Sequence, residues 1–586
     1  VETAMNGRRL ARHGSVRLQR WIRESEAAFI LLAALVGAAA GLATLAQGWL
    51  AHAMQAQLYG LSITRLSALR SIDHPWRLIA LPLGGALVAL IGRWQRWRGR
   101  APVDVVEANA LHGGRIPGTD NVVIAAQTIA SNGCGASVGL EATYAQMGGG
   151  IASLIGQMLH LRRADLRRLV GAGAGAGVGA AFGTPLAGAF YAFEIVIGTY
   201  SIAEVAPVIA ASLAGVLILR RLGAEPYLVA VTSNTPRGLI DYGAAVVLAG
   251  LCAMLGIVMM RLVTLAERGF QAVVRASTWR PVLGGALLIP VALISPQALS
   301  AGHGAMHLDL VSRPTVLFLL AILALKIVAS VISLASGFRG GLFFASLFLG
   351  SLAGQAFALG LNAAGIAGTF DPTDFALVGM AALCVSVVGG PMTLALLMLE
   401  STRDFPLMGV VLTGALVASA ITREAFGYSF STWRLHVRGS DVRSPRDIGW
   451  MMMMTAERMM RRDFATIPAD ATVAAFRDAV PLGSTSKAIL VGRDGRYRGI
   501  VQAAAAYAPS LATTTPVALL ARHGDVTLAP DTGIKAVLTQ FDDHGADELA
   551  VVDDSGHAIG VLSERHARRR YLEEIESAQR RMFGES

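Results

Sequence analysis

Charge is scarce in this chain: Asp, Glu, Lys and Arg make up 15% of its 586 residues. Cysteine is scarcer still, and Cys134, Cys252 and Cys384 stand far apart. That spacing offers no C-x-x-C pair and no disulfide framework, which excludes a cysteine-based metal or redox centre. Also missing are a hydrolytic constellation, a phosphate-cradling loop and a nucleotide motif of useful specificity, so the sequence reads as something other than an enzyme. A net charge of +10 raises the question of nucleic acid. The arginines answer it, because they flank apolar segments and form no continuous stripe. Arg8, Arg9, Arg12, Arg17, Arg20 and Arg23 precede the first such segment, and Arg434, Arg438 and Arg443 follow the last.

What is present is hydrophobic: 54% of residues are apolar, 65 are glycine, and the mean hydropathy is +0.53. These values describe a polytopic membrane protein whose helices pack through small residues. Apolar segments recur near 27–53, 78–92, 121–133, 166–197, 201–219, 240–263, 281–298, 315–335, 341–366, 376–399 and 405–422. Several fall short of the roughly 20 residues that a full span needs, which suggests helices that stop halfway. The first is too long, and too poor in a cleavage pattern, for a removable signal peptide. The flanking arginines predict cytoplasmic termini. Three zones are expected: an amphipathic lead-in over 1–26, a membrane body over 27–440 and a cytoplasmic part over 441–586. The methionines at the last junction (Met451, Met452, Met453, Met454, Met459 and Met460) are expected to be packing residues.

Within the membrane body, Glu141 is a bare carboxylate in the run Ser137-Val138-Gly139-Leu140-Glu141-Ala142-Thr143. A charged group at membrane depth costs about 2.5 kcal/mol or more, which makes it a functional candidate. Glycine beside it predicts a broken helix whose free N–H groups face an aqueous cavity. The body also repeats itself. Pro185 precedes Glu194 by nine residues, as Pro391 precedes Glu400. Upstream, Glu141 stands 44 residues before Pro185, and Phe343 stands 48 before Pro391. Two halves with the same order of landmarks predict an internal duplication that holds an ion between them.

The C-terminal part repeats as well. Pro468 and Pro530 are 62 residues apart, and Gly499 and Gly560 are 61 apart. Each copy carries a helical pattern, a short apolar strand, a turn and a second strand, which predicts two small α/β modules at about 456–510 and 516–572.

Taken together, these residues resemble the CLC chloride channel and transporter family, followed by a tandem CBS domain pair. The family's G-[K/R]-E-G-P motif is matched by Gly139-Leu140-Glu141-Ala142-Thr143, with the glycine and glutamate kept. Val105-Val106-Glu107-Ala108 through Ile116 resembles the segment after its G-S-G-I-P loop, which becomes Gly99-Arg100-Ala101-Pro102-Val103. Its G-x-F-x-P motif becomes Gly341-Leu342-Phe343-Phe344-Ala345. The pore tyrosine is replaced by Ser431. The resemblance implies an all-α polytopic membrane fold of inverted repeats and broken helices with an α/β CBS pair. It implies a homodimer in the lipid bilayer moving chloride or a related small anion, with protons as a further candidate partner. Glu141 becomes the gate: ionised, it occupies the anion site; protonated or swung away, it vacates it. Gly139, Leu140, Ala142, Leu342, Phe343, Ser431, Arg100, Ala101 and Arg339 become the anion-binding set. Ile195 stands where many antiporters of the family carry a second, proton-transferring glutamate, which favours passive or loosely coupled movement. Glu194 is left a structural or charge-balancing role.

The substitutions at Arg100 and Ser431, together with Arg339, open a second reading. A guanidinium recognises carboxylates, sulfonates or bicarbonate in bidentate fashion, unlike a spherical halide. Arg339 could equally lie at the membrane interface. A third reading, a non-conducting sensor, leaves the buried acid without a purpose. In the CBS pair, Ser563 is kept but His566 replaces the expected ribose-binding aspartate, and the first copy has neither group. A nucleotide is therefore not expected, and no cofactor or metal is implied. His303 and His307 lie four apart in a glycine-rich stretch and read as loop residues, with no third ligand nearby.

Overall fold

The computed structural model describes residues 21, 25–61, 65–96, 102–223, 238–274, 276–312, 314–366, 370–437 and 454–583. Most of the lead-in over 1–26 lies outside these residues, as do Arg100, Ala101 and Met451 to Met453. The chain divides into two compact units, Val1–Arg446 and Asp447–Ser586.

The first unit is helical throughout its described residues. In chain order its helices are α1 (Glu26–Tyr59), α2 (Ala80–Arg96), α3 (Val105–Leu111), α4 (Gly118–Gly133), α5 (Glu141–Met158), α6 (Arg163–Phe182), α7 (Pro185–Tyr191), α8 (Ile202–Arg221) and α9 (Leu239–Val273). The second half follows with α10 (Arg280–Ile294), α11 (His303–Ser312), α12 (Val316–Ser336), α13 (Phe343–Ala363), α14 (Pro372–Val388), α15 (Pro391–Thr402), α16 (Phe405–Ala425) and α17 (Phe430–Val437). Among the described residues, seven helical stretches are long and apolar enough to cross a membrane, by length and composition. Large apolar side chains such as Leu31, Leu35, Leu251, Met254 and Leu317 point outward. Their surface suits hydrocarbon and would be penalised by water at roughly 25 cal/mol per Å².

The sequence boundaries need correcting in two places. The run 166–197 is broken at Gly183-Thr184, where Gly183 takes φ 70° and Pro185 starts α7. The run 376–399 is broken at Gly389 and Gly390, with φ of 90° and 75°, before Pro391 starts α15. Positive φ is open to glycine, and proline suits a helix start, so each pair punctuates what hydropathy merges.

The two breaks are cross-linked. The Glu400 carboxylate accepts from Leu186 N at 3.0 Å and Ala187 N at 2.9 Å, capping α7. The Glu194 carboxylate accepts from Met392 N (3.1 Å), Thr393 N (2.8 Å) and Thr393 Oγ1 (2.6 Å), capping α15. Each half thus supplies the anion that satisfies the open N–H groups of the other half's short helix. Such reciprocity is what two related halves facing one another produce.

The second unit contains two three-stranded sheets. In the first, β1 (Ala465–Pro468) runs parallel to β2 (Lys487–Val491), which pairs antiparallel with β3 (Tyr497–Gln502). In the other, β4 (Thr527–Leu528), β5 (Glu548–Val552) and β6 (Ala558–Ser563) repeat that topology. Even the register shift recurs, at Leu490/Val491 and at Val551/Val552. The modules exchange their leading segments. Met454, Ala456 and Met459 pack into the second module's core, whereas Val517 packs into the first. The described methionines of the junction are accordingly packing residues.

Candidate functional site

The site is assembled on a loop with no regular structure of its own, residues 134–140, held from several sides. Asn132 Nδ2 donates to Val138 O at 2.7 Å, and Ser137 N donates to Ser333 Oγ at 3.0 Å. Ser137 Oγ also lies 3.1 Å from Ser330 Oγ. The serines of α12 thus fix the approach to α5.

At its end the loop meets the second half of the chain. Gly139 N donates to Gly341 O at 2.9 Å and Gly341 N donates to Gly139 O at 3.1 Å, an isolated antiparallel bridge. One residue later in each strand, Leu140 and Leu342 lead into α5 and α13, and neither helix start carries a side-chain cap. Two uncapped helix starts therefore meet back to back, and their N–H groups and dipoles favour a negative guest.

Glu141, the first residue of α5, is 1% exposed. Its oxygens face the N–H groups of Glu141 itself and of Phe344. They close no hydrogen bond of ordinary geometry with any described residue. The carboxylate folds back over Gly139, where a Cβ would overlap Oε2. Glycine at this position is therefore the seat of the acid.

A cavity of about 240 Å³ opens on one side of Glu141. Ala142, Leu342 and Phe343 line it, as do Arg339 and Ser431. Leu140 instead borders a smaller space of about 20 Å³, room for about one water. Gly139 lines neither and sits in the bridge to Gly341. Ile195 is buried and away from the larger cavity's lining, so no carboxylate stands at that position.

Arg339 N donates to Ser131 Oγ at 3.0 Å, and its guanidinium reaches Gln127 Oε1 at 3.5 Å. The residue is half-buried and borders the larger cavity. Ser431 sits in the first turn of α17, whose start is closed by Ser429 N donating to Thr432 Oγ1 at 2.9 Å.

Four lining residues escaped sequence reading. Asp104 caps α3 by accepting from Glu107 N at 2.8 Å, and it borders the larger cavity. Tyr191 and Arg434 line the same cavity. Arg434 stands one turn after Ser431, a spacing that could have flagged it. Tyr191 ends α7 where the helix continues as the π-helical stretch Ala192–Ile197, with its ring 6.3 Å from that of Phe343. The fourth, His303, overturns the loop reading: it begins α11, stacks on Phe344 at 3.6 Å and places Nε2 3.6 Å from Glu141 Oε1. His307 lies on the same helix. Among the described residues no cluster has the make-up of a metal site.

In the second unit, Ser563 Oγ accepts from His566 N at 3.4 Å. The hydroxyl thus serves the start of α18 (Glu564–Phe583).

Comparison with known proteins agrees with this architecture. The family model described as voltage gated chloride channel matches residues 83–423, and that of the CBS domain matches 514–573. The voltage-gated ClC-type chloride channel ClcB of Escherichia coli (strain SMS-3-5 / SECEC) is 27% identical over 358 residues, covering 60% of this chain and 84% of ClcB. A slow cyanobacterial Cl⁻/H⁺ antiporter superposes with a TM-score of 0.62 at 22% identity, covering 70% of this chain and 97% of the antiporter. A eukaryotic CLC transporter does so with 0.59 at 15% identity, covering 92% of this chain and 97% of the transporter.

Proposed function

The chain belongs to the voltage-gated chloride channel family, and on that premise we propose that Glu141 gates an anion path between the two cavities. As a family member it is a multi-pass membrane protein, an anion channel or anion/proton antiporter, and not an enzyme. The observation that carries the gating role is the seat of the carboxylate. It lies over Gly139, where two uncapped helix starts meet; it lines the larger cavity, and its neighbours Leu140 and His303 line the smaller one. The N–H groups that favour an anion are the ones the carboxylate faces, so acid and anion compete for one place. Protonation removes the acid's charge and its claim on that place.

The anion-binding set is then Gly139, Leu140, Ala142, Leu342 and Phe343 around the seat, with Arg339 and Ser431 along the larger cavity. This cavity faces the cytoplasm and the smaller one faces outward, in keeping with the arginines that follow α17. The family resemblance further suggests a homodimer in the inner membrane. Ile195 cannot carry a proton, and this supports passive or loosely coupled movement. The CBS pair is a scaffold without a nucleotide, in keeping with Ser563 being engaged in a helix start.

Chloride is the simplest substrate. Two guanidinium-bearing residues beside one cavity, Arg339 and Arg434, favour a second reading with a carboxylate, sulfonate or bicarbonate as cargo. In liposomes holding the full chain, Glu141→Ala should abolish the dependence of flux on pH. Unchanged flux and pH response would remove Glu141 from the gate. A panel of halides, nitrate, bicarbonate, sulfonates and carboxylates ranks the two cargoes.

A further inference from the structure

The gating reading leaves open how a proton reaches a carboxylate that is 1% exposed. One side chain of the smaller pocket stands between. His303 borders that pocket, its side chain is 10% exposed, and its Nε2 lies 3.6 Å from Glu141 Oε1. The imidazole is held in this pose. It stacks on Phe344 with an interplanar angle of 28°, and it follows Gly302, whose φ of 103° turns the chain into α11. Gly304 N donates to Ser67 Oγ at 3.0 Å and pins the first turn.

We propose that His303 is the proton relay between the smaller pocket and Glu141. In the forward step a hydronium ion in the pocket breaks one O–H bond and gives that proton to the imidazole, leaving water. The imidazolium N–H bond at Nε2 then breaks as an O–H bond forms at Glu141 Oε1. A neutral carboxylic acid and a neutral imidazole result, and the reverse step returns the proton to the pocket. No other reactant is needed.

Charged and titratable groups surround the ring from each neighbouring element. His52 comes from α1, Arg65 from the segment after it, Lys326 from α12 and Glu141 from α5. The Lys326 Nζ is anchored by donating to Ser300 O at 2.6 Å and Ala298 O at 3.2 Å. Protonatable neighbours of one sign thus face a ring whose 3.6 Å contact is the carboxylate. The charge arrangement points the proton toward Glu141.

The inference rests on Glu141 as the gate and goes beyond it, because it assigns proton delivery to a different side chain. The test follows anion flux from full-chain proteoliposomes after a rapid pH jump. His303→Gln keeps a polar side chain but cannot relay, so it should slow the relaxation at least about tenfold, within the range of a positioned proton carrier. His303→Gly should recover when imidazole is added to the solution, a rescue that a merely structural role would not give. A His303→Gln protein that relaxes as fast as wild type overturns the proposal. Should neither variant fold, the wild type decides: absence of any solvent deuterium effect on its relaxation overturns the relay, and a clear slowing supports it. Glu141→Gln separates the two ideas. If that variant keeps the full pH response, the gate itself fails; if it loses it while His303→Gln does not, the relay alone fails.

Discussion

Gly139→Ala is the smallest change that should open the gate without touching the acid. The φ of Gly139 is not positive, so alanine meets no backbone strain there. The conflict is instead with the Glu141 carboxylate, whose Oε2 occupies the place of the new methyl group. Two responses are available. The backbone could retreat, but Gly139 is tied to Gly341 by bonds of 2.9 and 3.1 Å in both directions. Losing both would cost about 1–3 kcal/mol, at a net 0.5–1.5 kcal/mol each. Alternatively, the carboxylate could leave its seat by a side-chain rotation, which costs about 0.5–1.5 kcal/mol. The cheaper response is rotation. An alanine at 139 should therefore shift the seated-to-unseated balance of Glu141 by roughly 1 kcal/mol, a factor of about five. Anion flux from proteoliposomes, measured across a pH series, should rise at neutral pH toward its low-pH value, while folding and dimensions on size exclusion stay unchanged. A folded Gly139→Ala protein with wild-type flux and an unaltered pH profile would refute the reasoning, since the methyl group would have found room with the acid still seated.

Further outcomes follow from the same geometry. Glu194→Gln and Glu400→Gln each replace a charged acceptor at a helix start with a neutral one. Each should cost about 1–2 kcal/mol of stability, read as a lowered unfolding temperature in detergent. Unchanged melting in both would deny the reciprocal caps any weight. Arg339→Gln keeps a polar group beside Gln127 but removes the guanidinium, so it should depress oxyanion flux several-fold more than chloride flux. Equal loss for all anions would argue against selection by this residue. Titration of the protein with ATP should give no saturable heat, whereas a binding isotherm would contradict the scaffold role proposed for the C-terminal unit.

Local chemistry carried much of this protein in plain view. A carboxylate among glycines in an apolar run is costly enough to announce itself, which is why Glu141 and Gly139 were legible. Repeated Pro-to-Glu spacing and the 61- and 62-residue periods announced duplicated units, and the repeated register shift in the two small sheets agrees with that origin. Hydropathy was weaker at breaks. It merged α6 with α7, and α14 with α15, because two glycines or a Gly-Thr pair barely dent an average over twenty residues.

Pairings between distant residues were beyond it. Glu194 and Glu400 each read as a lone acid on its own helix, and only packing shows that each serves the opposite half. His303, at the head of what read as a glycine-rich loop, comes within 3.6 Å of an acid 162 positions earlier. Tyr191, Arg434 and Asp104 join one cavity from three separate stretches of chain. Sequence by itself determined the cost of each group in its surroundings, because that depends on the residue and its near neighbours. Tertiary structure alone decided which groups share a space, because contacts between remote segments depend on how the helices pack and carry no local signature.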